Sequence, residues 1–266
     1  MQPTGKASNA QYLMRCVEHQ ENLYGTDVHP EVAASLHELA RVLRAQGDLA
    51  GARERLERSL AIKAEVLGTE ADPSVAASLH QLAGILQAQG DLSGARERLE
   101  RSLAIQAQVF GTEVHPDVAA SLHELARVLQ AQGDLSGARE ELERSLAIKA
   151  QVFGTEAHHD VAASLHELAG VLQAQGDLTG ARERLEKVLE IEAQVYGTRE
   201  HYSTAMTEER LGLLLLEQGE IKQGVELLVH AYTVYQKQLG PDHPYTRQLA
   251  ELFAQFAPES PEVSPP

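Results

Sequence analysis

The sequence predicts an all-α fold, built as an array of near-identical helix pairs. Three observations carry this reading. The first is the placement of glycine: 15 of the 20 glycines fall on three ladders with a common step of 43 residues. These ladders are Gly25, Gly68, Gly111, Gly154, Gly197 and Gly240; Gly47, Gly90, Gly133, Gly176 and Gly219; and Gly51, Gly94, Gly137 and Gly180. The second is the three-to-four-residue recurrence of apolar side chains between those glycines, which is the period of a helix. The third is composition. Aromatics make up 4% of the chain and tryptophan is absent, so the core must be built from Leu, Ala and Val, which favours helices over strands. Self-similarity at a period of this length marks a solenoid-type array.

The elements follow in order. Residues 9–25 read as a lone helix of the second type, ending at Leu23-Tyr24-Gly25. Five copies of the pair occupy 26–68, 69–111, 112–154, 155–197 and 198–240, and copies 69–111 and 112–154 are identical at 35 of 43 positions. In copy 112–154, Pro116 suits a first helical turn because its missing N–H would be orphaned there anyway. Val118, Leu122, Leu125, Val128 and Leu129 then form one apolar stripe, and Gly133 stops the helix by accepting a left-handed backbone. Asp134 can cap the next start. Leu135, Ala138, Leu142, Leu146 and Val152 form the second stripe, which Gly154 ends. Residues 244–257 read as a lone helix of the first type, giving about twelve helices over 9–257. None of the 10 prolines interrupts a helix. Residues 1–8 and 258–266, the latter rich in proline, are expected to be disordered.

Charge and cysteine content exclude several functions. A net charge of −16 opposes binding to phosphate backbones and anionic membranes. Cys16 is the only cysteine, so no internal disulfide and no Cys-based zinc site is available, and it reads as a small packing residue. The N-terminus lacks a signal-like apolar stretch, and the run Leu211–Leu216 is far too short to span a membrane. The expected location is the cytoplasm.

At the level of the single copy, the chain resembles the tetratricopeptide repeat in its long form, as in kinesin light chain and nephrocystin-like proteins. The resemblance rests on Leu39-Ala40, the Gln46-Gly47-Asp48 turn, Ala52, Leu56 and the Leu67-Gly68 exit, and on the linker Leu239-Gly240-Pro241-Asp242-His243-Pro244. It implies a right-handed α-α superhelix of helix-turn-helix repeats. There are departures. Leu43, Leu86, Leu129, Leu172 and Leu215 stand where the family often has a large aromatic, and Ser59, Ser102, Ser145 and Val188 where it often has alanine. The small-residue position of the second helix is Ala52, Ala95, Ala138, Ala181 and then Gly224, a packing role.

The resemblance also implies that first helices line a concave face, with four inward positions per copy. These are Ala34, His37, Arg41 and Arg44; Ala77, His80, Gly84 and Gln87; Ala120, His123, Arg127 and Gln130; Ala163, His166, Gly170 and Gln173; and finally Met206, Glu209, Leu213 and Leu216. The expected groove carries a ladder of four histidines with arginine and glutamine, is locally basic, and turns apolar toward the C-terminus. That pattern suits an acidic peptide with an apolar anchor. Duplication of the copies explains the histidine ladder equally well.

No catalytic, cofactor or metal site is expected. His37-Glu38-Leu39-Ala40-Arg41 opens like the zinc protease motif but has Arg41 where the second histidine belongs, and the equivalent positions hold Arg127 and Gly170. The adjacent pair His158-His159 reads as a solvated linker. The run Arg53-Glu54-Arg55-Leu56-Glu57-Arg58 reads as an outer face, with Glu54 and Arg58 suitably placed to pair. The function expected is therefore a protein-interaction scaffold or adaptor. A regulatory segment of a larger signalling protein and a self-assembling solenoid are the alternatives, and an enzyme is disfavoured.

Overall fold

The computed structural model of the chain describes residues 5–256. Among them lie twelve helices and no strand: α1 (Gly5–Tyr24), α2 (Pro30–Ala45), α3 (Leu49–Leu67), α4 (Pro73–Ala88), α5 (Leu92–Phe110), α6 (Pro116–Ala131), α7 (Leu135–Phe153), α8 (His159–Ala174), α9 (Leu178–Tyr196), α10 (Tyr202–Glu217), α11 (Ile221–Leu239) and α12 (Pro244–Phe256). Helix α1 starts at Gly5, so residues 5–8 are helical where the composition suggested disorder. Residues 1–4 and 257–266, including the proline-rich tail 258–266, lie outside the described residues. The helices fall into two compact units, Met1–Gly154 and Thr155–Pro266.

Each first helix begins on a capping side chain. His29, His115, His158 and His201 accept the amide of the residue two positions on through Nδ1, at 3.1–3.2 Å. In three linkers the capping imidazole also stacks on the ring that closes the preceding helix: Tyr24 on His29 at 3.5 Å, Phe110 on His115 at 3.6 Å, and Tyr196 on His201 at 3.6 Å. Between the first and second copies Leu67 stands in place of the ring, and there the cap is Asp72, which accepts the Ser74 amide at 2.8 Å.

Second helices start on Asp48, Asp91, Asp134 and Asp177, each accepting the amide three residues later at 2.9 Å. That residue is always glycine, because a Cβ on Gly51 would stand 2.4 Å from the Asp48 carboxylate. The last copy changes both partners. Glu220 makes no cap, position 223 is Gln, and the Glu220 carboxylate instead takes Arg182 at 2.6 Å. At the other end, Gly111 stops α5 with φ +63, a backbone that costs an L side chain about 1–2 kcal/mol.

Within each pair the apolar stripes meet around small residues. Ser59, Ser102 and Ser145 are fully buried and donate to the carbonyls of Ala33, Ala76 and Ala119 at 2.7–2.9 Å. The hydroxyl that departs from the family alanine thus staples second helix to first. Val188 fills the place in α9 without a staple. In the N-terminal unit, α1 contributes Val17 to a core with Val32, Ala33, Leu36 and Ile62, while Cys16 is half-buried rather than buried. The C-terminal unit closes on Ala205, Leu228, Ala231, Val234, Tyr235 and Leu249, with Tyr202, Tyr232 and Phe253 packed around them.

On the outer face the salt bridges are Arg53–Glu57, Arg96–Glu100, Arg139–Glu143 and Arg182–Glu186 at 2.7–2.9 Å, each worth about 0.3–0.5 kcal/mol. The pairing expected between Glu54 and Arg58 is not made: Arg58 reaches Glu21 and Asp27 of the preceding segment.

Helices α10 and α11 approach most closely at two glycines. A Cβ on Gly212 would lie 2.9 Å from the Gly224 carbonyl oxygen, and one on Gly224 would lie 2.8 Å from that of Gly212. Backbone cannot yield as a flexible side chain does. Gly212→Ala is therefore expected to destabilise the C-terminal unit by about 1–3 kcal/mol. Denaturant unfolding followed by the Tyr signal of that unit tests this, and an unchanged midpoint refutes it.

Candidate functional site

In the N-terminal unit the exposed side of α2, α4 and α6 carries Ala34, Ala77 and Ala120, all open to solvent. Between successive first helices lie cavities. The α2/α4 cavity, of about 320 Å³, is lined by Ala34, His37, Lys63 and Ala77; the α4/α6 cavity, of about 170 Å³, by Ala77, His80, Gln106 and Ala120. In the C-terminal unit an equivalent cavity of about 340 Å³ lies between α8 and α10, with Ala163, His166, Glu192 and Met206 around it.

His37, His80 and His166 are half-buried and committed to the next first helix. His37 Nδ1 lies 3.0 Å from the Ser78 hydroxyl, and its Nε2 lies 2.8 Å from the Gln81 amide nitrogen. Ser78 donates to the Ser74 carbonyl, so Nδ1 carries the proton and Nε2 accepts, which describes a neutral ring. His80 Nδ1 is 3.2 Å from the Ser121 hydroxyl. Burial lowers the pKa of both, aided by the nearby Lys63 and Arg41 for His37 and by Arg44 for His80. In the C-terminal unit Arg210 takes both Nδ1 and the carbonyl of His166 at 3.1 Å. Burial first and Arg210 second push His166 down to about 4. His123 is half-buried in the same register.

Part of the expected basic character is neutralised locally. Arg41 pairs with Glu38 at 2.8 Å and Arg127 with Glu124 at 3.2 Å, each within its own helix. Arg44 lies against Gly84, and Arg210 against Gly170, in the space those glycines leave. Gln87 and Gln130 are half-buried, and Gln173 donates to Glu217 at 3.1 Å. Two of the arginines are thus neutralised within their own helices, while Lys63 and Arg44 stand as cations beside the His37 and His80 rings. Toward the C-terminus Leu213 is 39% exposed and Met206 lines the α8/α10 cavity, as expected. Glu209 instead accepts the Tyr235 hydroxyl at 2.7 Å, and its burial raises its pKa.

Sequence reasoning missed the cavity floors. One second-helix position, repeated every 43 residues, holds Lys63, Gln106, Lys149, Glu192 and Tyr235. Lys63 Nζ donates to the Ser74 carbonyl and Ser78 hydroxyl at 2.8 Å, and Gln106 donates to the equivalent Asp117 carbonyl at 3.3 Å. Glu192 is 6% exposed. Burial, with the Glu208 charge, raises its pKa to about 7 against the pull of a Thr207 hydrogen bond. Glu208 is itself fully buried between Arg199 and His230. The signal for the floor was the recurrence of a polar residue directly after a buried isoleucine, as in Ile62-Lys63 and Ile191-Glu192.

Among the described residues, His158, His159 and Asp160 form the one group of metal-type donors within mutual reach, and His158 Nδ1 already serves there as a helix cap.

The tetratricopeptide repeat family matches the chain over residues 32–73, 74–151, 161–202 and 204–245. The chain belongs to that family. Among solved structures, the nearly identical, kinesin light chain-like TPR-type repeats of Podosopora anserina are 38% identical, with 79% of this chain and 97% of that one covered and a TM-score of 0.68. BtubC (BKLC) from P. vanneervenii is 21% identical, with 91% and 95% covered and a TM-score of 0.76. YrrB, described as a TPR protein with an unusual peptide-binding site, is 16% identical over 91% and 99%, with a TM-score of 0.53. No curated protein matches significantly. Family and relatives place the tetratricopeptide array in the kinesin light chain-like subclass.

Two titrations oppose each other in the C-terminal unit. His166 folds with a pKa of about 4, below its ordinary 6.5, so the unfolded chain binds more protons between those values and stability rises with pH across that window. Glu192 folds with a pKa of about 7, above its ordinary 4.5, so its contribution is complete below 4.5 and lost as pH rises through 7. Glu192→Gln should therefore stabilise the unit at pH 8 by on the order of 1–3 kcal/mol and leave it unchanged at pH 4, as read from denaturant midpoints. In an NMR titration His166 should show its midpoint near 4. Arg210→Gln should raise that midpoint without restoring the ordinary value, because burial is the larger cause.

Proposed function

We propose that this tetratricopeptide array is a protein-interaction scaffold, with no catalytic role, that holds an extended partner segment along its first helices. The observation that carries the reading is the recurrence of one cavity at three equivalent junctions, between α2 and α4, α4 and α6, and α8 and α10. Open alanines and a half-buried histidine flank the first two, and Ala163, His166 and Met206 flank the third. A partner side chain can enter each cavity while its backbone runs past the alanine rim, the arrangement by which grooves read alternate residues of a peptide. The peptide-binding site named for YrrB supports the same use of the fold. Around α10, the thioether of Met206 and the exposed Leu213 suit the apolar part of a partner side chain.

The test is selection of peptides from a displayed library against the full chain. Ala77→Arg combined with Ala120→Arg, which fills the N-terminal cavities with long side chains, should weaken a selected binder at least tenfold. Arg96→Ala combined with Arg139→Ala, on the outer face, should leave it unchanged. Binders that ignore the first pair and respond to the second would place recognition elsewhere.

A further inference from the structure

Resting on the groove reading above, we infer that the cavity between α8 and α10 receives the cationic head of a partner lysine or arginine, with Glu192 as its counter-ion. The array supplies its own comparison. At the α2/α4 junction the floor residue is Lys63, and its ammonium is received by the Ser74 carbonyl and the Ser78 hydroxyl at 2.8 Å. The equivalent acceptors at α8/α10 are the Ser203 carbonyl and the Thr207 hydroxyl, joined by the same internal hydrogen bond, at 3.2 Å. The floor residue there is Glu192, which when ionised has no proton to donate. Its Oε2 is buried without a hydrogen-bond partner among the described residues, although the side chain is only 6% exposed. An acceptor set that takes a lysine ammonium in one junction therefore stands in another with a carboxylate added and the cation missing from the chain itself.

The walls fit the rest of such a side chain. Ala162, Ala163, Val188 and Met206 are apolar and suit an aliphatic stem, while the head reaches the carboxylate at the floor. The charged surroundings are defined. Glu167 lines the cavity, His166 faces it as a largely neutral ring, and exposed His159 stands at its rim. Arg210 is engaged with His166 and lies over Gly170. Glu208 is held by Arg199 and His230. Of the two carboxylates lining the cavity, Glu167 is the more open, and Glu192 is the buried one at the floor with an unpartnered oxygen to meet an incoming cation.

The probes are n-butylammonium and n-butylguanidinium, with n-butanol as the uncharged control, titrated into the full chain. The methyl signals of Met206 and Thr207 are followed by NMR. Saturable shifts are expected with a cation and none with butanol. The tighter of the two cations assigns the partner residue as lysine or arginine. Glu192→Gln should weaken the response at least tenfold, since a buried charge-assisted hydrogen bond is lost. Glu192→Lys, which copies the Lys63 arrangement and carries its own cation into the cavity, should abolish it. Unshifted signals from the N-terminal unit and retained helicity confirm folding in both variants. Equal shifts with butanol, no saturable shift with either cation, or an undiminished response in the two Glu192 variants overturns the inference. If selected peptides still depend on Ala77 and Ala120 in that case, the groove reading stands and this assignment alone falls.

Discussion

The structure depends on one constraint: a tetratricopeptide copy cannot satisfy the polar seam of its own first helix. Buried donors and acceptors cost free energy unless paired, and here the partner comes from the neighbouring copy. His37 finds Ser78 and Gln81, His80 finds Ser121, and His166 finds Arg210, each more than forty residues away in the chain. The second helix meets the same demand from below, where Lys63 and Gln106 donate to carbonyls of the following first helix. Apolar burial makes the helix pair, but these seams fix how one pair is laid against the next. The cavities lie along them, so the chemistry that joins copies also lines the proposed binding surface.

Much of the fold was legible in the sequence because its punctuation is local. Gly111 ends a helix and Asp134 starts one through contacts within a few residues, and the apolar period states the rest. The register of the proposed groove was legible, and the pairing of its charges only in part. The sequence puts Arg41 and Arg127 on the correct face, yet each has a glutamate three residues earlier that neutralises it. It shows Gly84 and Gly170 as gaps in an arginine ladder, yet Arg44 and Arg210 lie in those gaps from adjacent copies. Residues that act across copies leave no trace in the spacing of a single copy. The floor position escaped for a different reason. Lys63 and Glu192 are polar side chains in a charge-rich helix and read as solvated, although the fold turns them inward.

The linkers show how two roles can be separated by distance in sequence. The stacked ring and imidazole, Phe110 with His115 or Tyr196 with His201, sit five residues apart, and the Asp-Gly start of each second helix sits three apart. In two places both members change, Leu67 with Asp72 and Glu220 with Gln223. Such pairs are closed within a short stretch of chain. They set a copy's helix starts and stops independently of its neighbours.

That difference in reach has a genetic consequence. Near-identical tandem copies invite unequal exchange between their coding segments, which adds or deletes whole copies. A crossover almost anywhere leaves the short-range pairs intact, so the new array still folds. The same event brings a different floor residue under a different first helix and deals a new order of Lys, Gln and Glu along the groove. Recognition can then change by reshuffling copies already present, without a single amino-acid substitution.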